Sequence, residues 1–201
     1  MPIIQVTLLP GYSAVAEERV VQRVADAIRS VIDAPASGTT AFIYHASTYM
    51  RDNRVFQGGG PELADGQEIV QSFLGQMQQR DLASAKQWLT ADFEMTFPGG
   101  VVMHQLEELV AWAKTRYTGV SKVYERFDQS WQGDTTVVYC FGTLQGEWLD
   151  GSAIQGVRFI DRFELIKGKI HRQDVWNDLV AYAWSDQASR ISAPVADQTP
   201  G

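Results

Sequence analysis

Cysteine occurs once in this chain of 201 residues, at Cys140, and histidine three times, at His45, His104 and His171. One thiol cannot close an intramolecular disulfide, and its isolation removes the cysteine-rich zinc sites. The histidines show no metal-ligand spacing, so neither a metal nor a cofactor is expected. No run reaches the roughly 18 apolar residues of a membrane-spanning helix. The N-terminus lacks the basic and apolar regions of a signal peptide, which makes a cytoplasmic location the expectation. Positive charge is also scarce: 17 Lys and Arg face 24 Asp and Glu, for a net charge of −7 and a pI near 4.9. Without a basic patch, nucleic acid and anionic membrane are poor partners. A small-molecule substrate or ligand fits better.

What is present is a chain 45% hydrophobic and 20% charged, enough for one sizeable core or two small ones. The run Gln57-Gly58-Gly59-Gly60-Pro61 through Asp65-Gly66 reads as a linker, because glycine permits any backbone angle and Pro61 breaks pairing. The expected organisation is a first module over 1–57, a linker over 58–66, a second domain over 67–184 and a disordered tail over 185–201, rich in Ser, Ala, Asp, Gln and Pro.

The first module opens Pro2-Ile3-Ile4-Gln5-Val6-Thr7-Leu8-Leu9-Pro10-Gly11. If Met1 is removed, Pro2 presents a secondary amine, and packing it among Ile4, Val6 and Leu8 would disfavour the charged form. A neutral amine near pH 7 is a usable general base or nucleophile. Ser13 is a plausible N-cap, Glu17 and Glu18 suit a first helical turn, and Val20, Val24, Ile28 and Val31 recur at helical spacing up to Pro35. Ala41-Phe42-Ile43-Tyr44 reads as a second strand. A helical crossover between two strands implies that they are parallel.

In the second domain Ile69, Phe73 and Met77, flanked by Val70 and Leu74, mark a helix. Leu82, Ala85, Trp88 and Leu89 mark a shorter one capped by Asp81. Phe93 to Phe97 reads as a strand ended by Pro98-Gly99-Gly100, and Leu106, Leu109, Val110, Ala113 and Tyr117 as a third helical face. From residue 123 the period changes. Three two-residue turn signals, Gly133-Asp134, Asp150-Gly151 and Lys167-Gly168, divide four β-rich runs into an antiparallel meander. Helices followed by a curved meander give an α+β cone.

Two resemblances follow from these residues. Pro2-Ile3, Leu9-Pro10-Gly11-Tyr12-Ser13, the helix end Ile32-Asp33-Ala34-Pro35 and the Gly58-Gly59-Gly60 close make residues 2–60 similar to the 4-oxalocrotonate tautomerase superfamily. That resemblance implies Pro2 as catalytic base. It does not carry over the family's two arginines, which fall on Tyr12 and Thr40, so either Arg51 and Arg54 bind substrate beside Tyr12 or the parent reaction is lost. The order of elements over residues 67–184, with Gly168-Lys169-Ile170 leading to Trp176 and Asp178, resembles the nuclear transport factor two-like (NTF2-like) superfamily, which includes ketosteroid isomerases and SnoaL-like polyketide cyclases. It implies a pocket for a small apolar molecule between the helices and the concave sheet face, and places Asp161 where ketosteroid isomerases keep an oxyanion-stabilising aspartate. The isomerase's base and tyrosine fall on Phe97 and Phe73, so steroid isomerisation is not expected. The fold hosts enzymes and non-enzymes alike.

Two-residue hairpins fix register. With Lys167-Gly168 as loop, Phe163 is expected opposite Arg172, Asp161 opposite Asp174 and Phe159 opposite Trp176. With Asp150-Gly151 as loop, Cys140 is expected beside Asp161, Val138 beside Phe163 and Leu144 beside Val157. Two carboxylates facing each other in an apolar pocket cannot both ionise cheaply, so one is expected to hold a proton and act as acid or oxyanion donor. Phe163, Trp176, Phe73 and Trp112 would bound the cavity. Arg172 would lie close by and is equally able to neutralise both aspartates as a plain ion network. His104 is a lesser candidate for the pocket wall.

Three functions remain open: a tautomerase of small keto or enol acids using Pro2, a non-catalytic binder of an apolar metabolite with the first module as oligomerisation element, or proton-transfer chemistry at Asp161 and Asp174. A two-stranded β-α-β unit is marginal alone, and the outer sheet face offers Tyr139, Phe141, Ile160 and Val175 among Arg158, Arg162 and Glu164. At least a homodimer is therefore expected, and light scattering at micromolar concentration that returns a monomer mass contradicts it.

Overall fold

The computed structural model describes residues 1–181, which fall into two compact units, one spanning Met1–Leu63 and the other beginning at Ala64. The tail expected over 185–201 lies outside the described residues, as do residues 182–184.

In the first unit β1 (Ile3–Leu8) and β2 (Thr40–His45) pair in parallel from Ile3 opposite Thr40 to Leu8 opposite His45, joined by α1 (Ala14–Arg29). The Ser13 hydroxyl caps α1 by accepting from the Ala16 N–H at 3.1 Å, and it donates to the Glu62 carboxylate at 2.9 Å. Strand alternation half-buries Ile4, Val6, Leu8, Ala41 and Ile43, and turns Ile3, Phe42 and Tyr44 outward at 68%, 44% and 53% exposure. Sequence reasoning missed the hairpin that follows, β3 (Thr48–Arg51) and β4 (Arg54–Gln57). Its turn residues Asp52 and Asn53 both adopt positive φ, as a type I′ turn requires.

The second unit is an α+β cone. Its helices are α2 (Gly66–Gln78), α3 (Leu82–Lys86) and α4 (Leu106–Lys114). Its strands are β5 (Leu89–Phe97), β6 (Val101–Met103), β7 (Tyr117–Gln132), β8 (Thr135–Trp148), β9 (Ala153–Ile166) and β10 (Lys169–Asn177). The sheet runs β6-β5-β10-β9-β8-β7, antiparallel except for the parallel pair β5 and β10. Ile69, Val70, Phe73, Leu74 and Met77 of α2 pack on Val138, Cys140, Leu144, Val157, Phe159, Phe163, Leu165 and Ile170 of the curved sheet. Asp65 and Asp81 cap α2 and α3 by accepting from the Gln67 and Ser84 N–H groups at 2.9 and 3.1 Å.

Two boundaries differ from expectation. Trp88 and Leu89 do not extend α3, because the Ile170 N–H takes the Trp88 carbonyl at 2.7 Å and draws the chain into the sheet. Tyr117 opens β7 rather than closing a helix, so that strand starts ahead of residue 123.

The meander keeps two of its three two-residue turns. Gln132 faces Thr135 and Ile166 faces Lys169, the latter across Lys167 and Gly168, both at positive φ. Asp150-Gly151 instead sits in a longer loop, closed by the Trp148 N–H on the Ser152 carbonyl at 2.9 Å. A bulge between Leu144 and Gly146 restores the register, so Cys140 still faces Asp161, Val138 faces Phe163 and Leu144 faces Val157.

The pairing of β9 with β10 corrects the expected one. Ile170 faces Leu165, but Arg172 faces Glu164, because a bulge inserts His171 as an extra residue. One inserted residue exchanges the faces of everything beyond it. Asp161 therefore faces Val175, not Asp174; Asp174 faces Arg162, and Phe159 faces Asn177, not Trp176. On the far side of β10, the pairing with β5 jumps from Leu89 to Glu94 across the same bulge. His171 lies in that gap, its Nδ1 3.4 Å from both the Thr90 hydroxyl and the Asp92 carboxylate.

Two glycines test how tightly the unit is built. A Cβ on Gly142 would fall 1.9 Å from the Val123 carbonyl oxygen of β7, whereas one on Gly75, inside α2, meets nothing within 4 Å. In urea denaturation Gly142→Ala is expected to lose about 1–3 kcal/mol or more. Gly75→Ala is expected to gain about 0.5–1 kcal/mol from helix propensity alone. Equal effects of the same sign would contradict the close strand crossing.

Candidate functional site

Between α2, α4 and the inner sheet face lies a cavity of about 140 Å³. An apolar cavity of about 150 Å³ holds a benzene molecule. Phe73, Leu74 and Met77 come from α2, Phe97 from β5, Leu109 and Trp112 from α4, and Leu144 and Phe159 from the sheet. The Phe97, Trp112 and Tyr117 rings meet edge to face, with centroids 5.4 and 6.5 Å apart in turn.

Polar side chains also line it: Lys122 and Tyr124 from β7 and Gln173 from β10 stand on the inner sheet face, and Gln78, Arg80, Ser121 and Asn177 complete the polar part of the lining. Lys122 and Gln173 meet Asp161, which has no exposed surface and stands behind them rather than in the cavity wall. Lys122 Nζ forms an ion pair with Asp161 Oδ2, and Gln173 Nε2 donates to the same oxygen at 3.3 Å. The ammonium also stands 4.5 Å from the Phe159 ring centroid, a cation–π contact that strengthens with desolvation. Asp161 Oδ1 and Gln173 Oε1 are buried without a partner. Buried polar atoms are almost always hydrogen-bonded, so these two acceptors suit a donor on a ligand or a water. Burial, and then the Asp161 charge, push the Tyr124 hydroxyl well above the usual phenol range, leaving it a neutral donor. Burial pushes the Cys140 thiol beside Asp161 up to about 12, with the Asp161 charge adding to it.

The expected site residues separate accordingly. Phe73 and Trp112 line the cavity, whereas Phe163 is buried behind Phe73, ring to ring at 6.0 Å, and forms no part of the wall. Asp174 is not a partner of Asp161: the bulge turns it to the outer face, where Arg172 Nε reaches it at 3.0 Å and Arg162 at 3.4 Å. Arg172 belongs to that outer network too, with Glu94 at 3.4 Å. Trp176 points outward at 54% exposure, and Val175, expected on the outer face, turns inward at 6%. His104 stands at the entry to α4, its Nδ1 3.3 Å from the Phe93 carbonyl, and does not line the cavity. A shared proton between two carboxylates therefore has no basis here, since the neighbour of Asp161 is a cation.

Lys122, Tyr124 and Gln173 were missed. For the first two a signal existed: Val120, Lys122 and Tyr124 alternate inward along β7 once the strand is begun at Tyr117. Gln173 had none, because its orientation follows from the bulge.

In the first unit, the Pro2 carbonyl accepts from the Thr40 N–H at 3.1 Å at the N-terminal end of β1. The base of the hairpin is tied to the other end, where the Gly59 N–H takes the Pro10 carbonyl at 2.8 Å. Tyr12 holds that loop: its hydroxyl accepts from the Gly60 N–H at 2.9 Å, and its ring would lie 2.6 Å from a Cβ on Gly59. Arg51 and Arg54 flank the hairpin turn and are exposed, with Arg51 5.7 Å from the Tyr49 ring centroid. Among the described residues, no hydrogen bond or ion pair joins Pro2 to either arginine, and no three His, Cys, Asp or Glu side chains gather as a metal site. No helix of the described residues is long and apolar enough to cross a membrane.

Solved structures share this fold. An NTF2-like protein from Burkholderia pseudomallei superposes with a TM-score of 0.51 at 18% identity, covering 61% of this chain and 97% of that one. A candidate ketosteroid isomerase from Shewanella frigidimarina gives 0.45 at 22% identity, over 54% of this chain and 92% of that one. A candidate SnoaL-like polyketide cyclase from Jannaschia sp. gives 0.46 at 19% identity, over 68% and 100%. No protein-family model and no curated protein matches the chain. At these identities the likeness is one of fold, the NTF2-like cone.

Two measurements check the site. Lys122→Met leaves a buried carboxylate without its cation and is expected to cost about 3–5 kcal/mol in urea denaturation, with Lys122→Met/Asp161→Leu recovering most of it; a single variant as stable as the parent contradicts the pair. Cys140 is expected to resist thiol reagents near pH 8 until the chain unfolds. Its folded value near 12 exceeds the ordinary 9.0, so the stability tied to the neutral thiol is whole below about pH 9 and fades as pH rises toward 12.

Proposed function

We propose that the cone binds a small, largely aromatic molecule bearing a keto or enol group and moves a proton on it, as isomerases and cyclases do. The observation that carries this reading is the buried Asp161 carboxylate in contact with Lys122, which lines a cavity walled mostly by aromatic and aliphatic side chains. Such a cavity takes apolar rings and orients them by a few convergent polar groups. Asp161 accepts the proton, Lys122 and the Tyr124 hydroxyl meet charge that develops on the carbonyl oxygen, and Gln173 holds Asp161 in place. Mostly apolar walls exclude water, which strengthens each of these interactions.

A second reading keeps the tautomerase chemistry at Pro2, acting on a small keto or enol acid once Met1 is removed. What favours it is the parallel β1-α1-β2 unit with Pro2 leading its first strand. The exposed Ile3, Phe42 and Tyr44 favour a further role for that unit as an oligomerisation element in a homo-oligomer.

One comparison tests both chemistries. In deuterated water the protein is expected to speed exchange of the hydrogens next to the carbonyl of acetophenone-sized ketones, with Asp161→Asn slowing it by roughly 10²–10⁴-fold and Pro2→Ala leaving it unchanged. Ketonisation of phenylenolpyruvate reports on Pro2 and is expected to fall far more in Pro2→Ala than in Arg51→Ala or Arg54→Ala. Saturable ketone binding without exchange would reduce the cone to a binding module. No binding at all would overturn the reading.

A further inference from the structure

We propose that Lys122 forms a reversible imine with the carbonyl of an aldehyde or ketone held in the cone cavity, with Asp161 moving the protons; the proposal rests on the cone-pocket reading above. Of the five lysines in the chain, Lys86, Lys114, Lys167 and Lys169 are exposed, and Lys122 alone lines this cavity, its side chain 22% exposed. An amine in an apolar pocket becomes a nucleophile once it has somewhere to leave its proton. Asp161 Oδ2 already touches Nζ, and its other oxygen has no competing partner. A ligand that displaces water from the cavity makes the charged pair costlier relative to the neutral one, which favours transfer of that proton from nitrogen to carboxylate. The aromatic walls hold a flat carbonyl compound beside the amine.

The chemistry balances without an oxidant or reductant. The ammonium gives one proton to Asp161, and the nitrogen lone pair forms a bond to the carbonyl carbon as the C=O electron pair moves to oxygen. The oxygen takes one proton from the nitrogen and one from Asp161, then leaves as water with the C–O bonding pair. The nitrogen lone pair forms C=N, and Lys122 ends as an iminium facing a carboxylate that has regained its charge. The sum is ammonium plus carbonyl giving iminium plus water. An iminium draws electrons from the neighbouring carbon and loosens its hydrogens, the proton transfer proposed for this site.

Reductive trapping tests it. The full chain is incubated with benzaldehyde and cyanoborohydride, and benzylated lysines are located by peptide mass mapping. Lys122 is expected to be labelled about tenfold or more faster than any exposed lysine, toluene is expected to slow labelling at Lys122 and not at Lys167, and Lys122→Arg is expected to remove the fast phase. Asp161→Asn is expected to slow labelling at Lys122 with the circular dichroism unchanged; should that variant not fold, the parent's rate ratio and its competition by toluene decide. Labelling of Lys122 no faster than of Lys167, or unaffected by toluene, overturns the proposal. If benzaldehyde still raises the unfolding midpoint in that case, the binding reading survives and imine formation alone is lost. If it does not, both fall.

Discussion

A carboxylate stripped of water costs several kcal/mol to keep ionised unless a cation and hydrogen-bond donors meet it. In the cone these are Lys122 from β7 and the Gln173 amide from β10, which reach Asp161 from two strands that do not neighbour each other. The trio therefore comes together only when β7 to β10 stand in their order in the sheet. Replacing the three by apolar residues of similar size is often neutral or stabilising in such arrangements, so stability alone does not account for the trio.

Which carboxylate occupies that position is decided at the bulge. With His171 inserted, Gln173 and Val175 turn inward, while Asp174 and Trp176 turn outward. The displaced Asp174 joins Arg162, Arg172, Glu94 and Glu164 in a partly exposed network. Exposed pairs of this kind contribute little each, but they satisfy charges that would otherwise crowd the outer sheet face beside Trp176, Ile160 and Phe141.

The first unit poses the opposite problem. None of the residues of α1 is fully buried, and its two-stranded sheet leaves Ile3, Phe42 and Tyr44 exposed on one face. A helix on one side of two strands cannot offset the entropy of ordering the chain by much. The Tyr12 clamp on Gly59 and Gly60, and the Ser13 and Glu62 contacts, show its loops held by hydrogen bonds where a core is lacking.

Much of the architecture was legible because its causes are local. Helical spacing and the Asp65, Asp81 and Ser13 caps act within a turn of the chain, and Lys167-Gly168 bends it wherever it stands. The NTF2-like cone and the pairing of Asp161 with Cys140 followed from such signals. The hairpin at Asp52-Asn53 was also written locally and went unread. The site was legible only in half: Asp161, Phe73 and Trp112 take their orientation from strand or helix period, and Lys122 and Tyr124 follow the same alternation along β7. By itself the sequence determined the elements, their order and the inward side of β9. Only tertiary structure decided the inward side of β10, because the bulge at His171 interrupts its pairing with both β9 and β5, the latter a strand roughly 80 residues away whose parallel pairing no local turn encodes. That is why Gln173 rather than Asp174 meets Asp161.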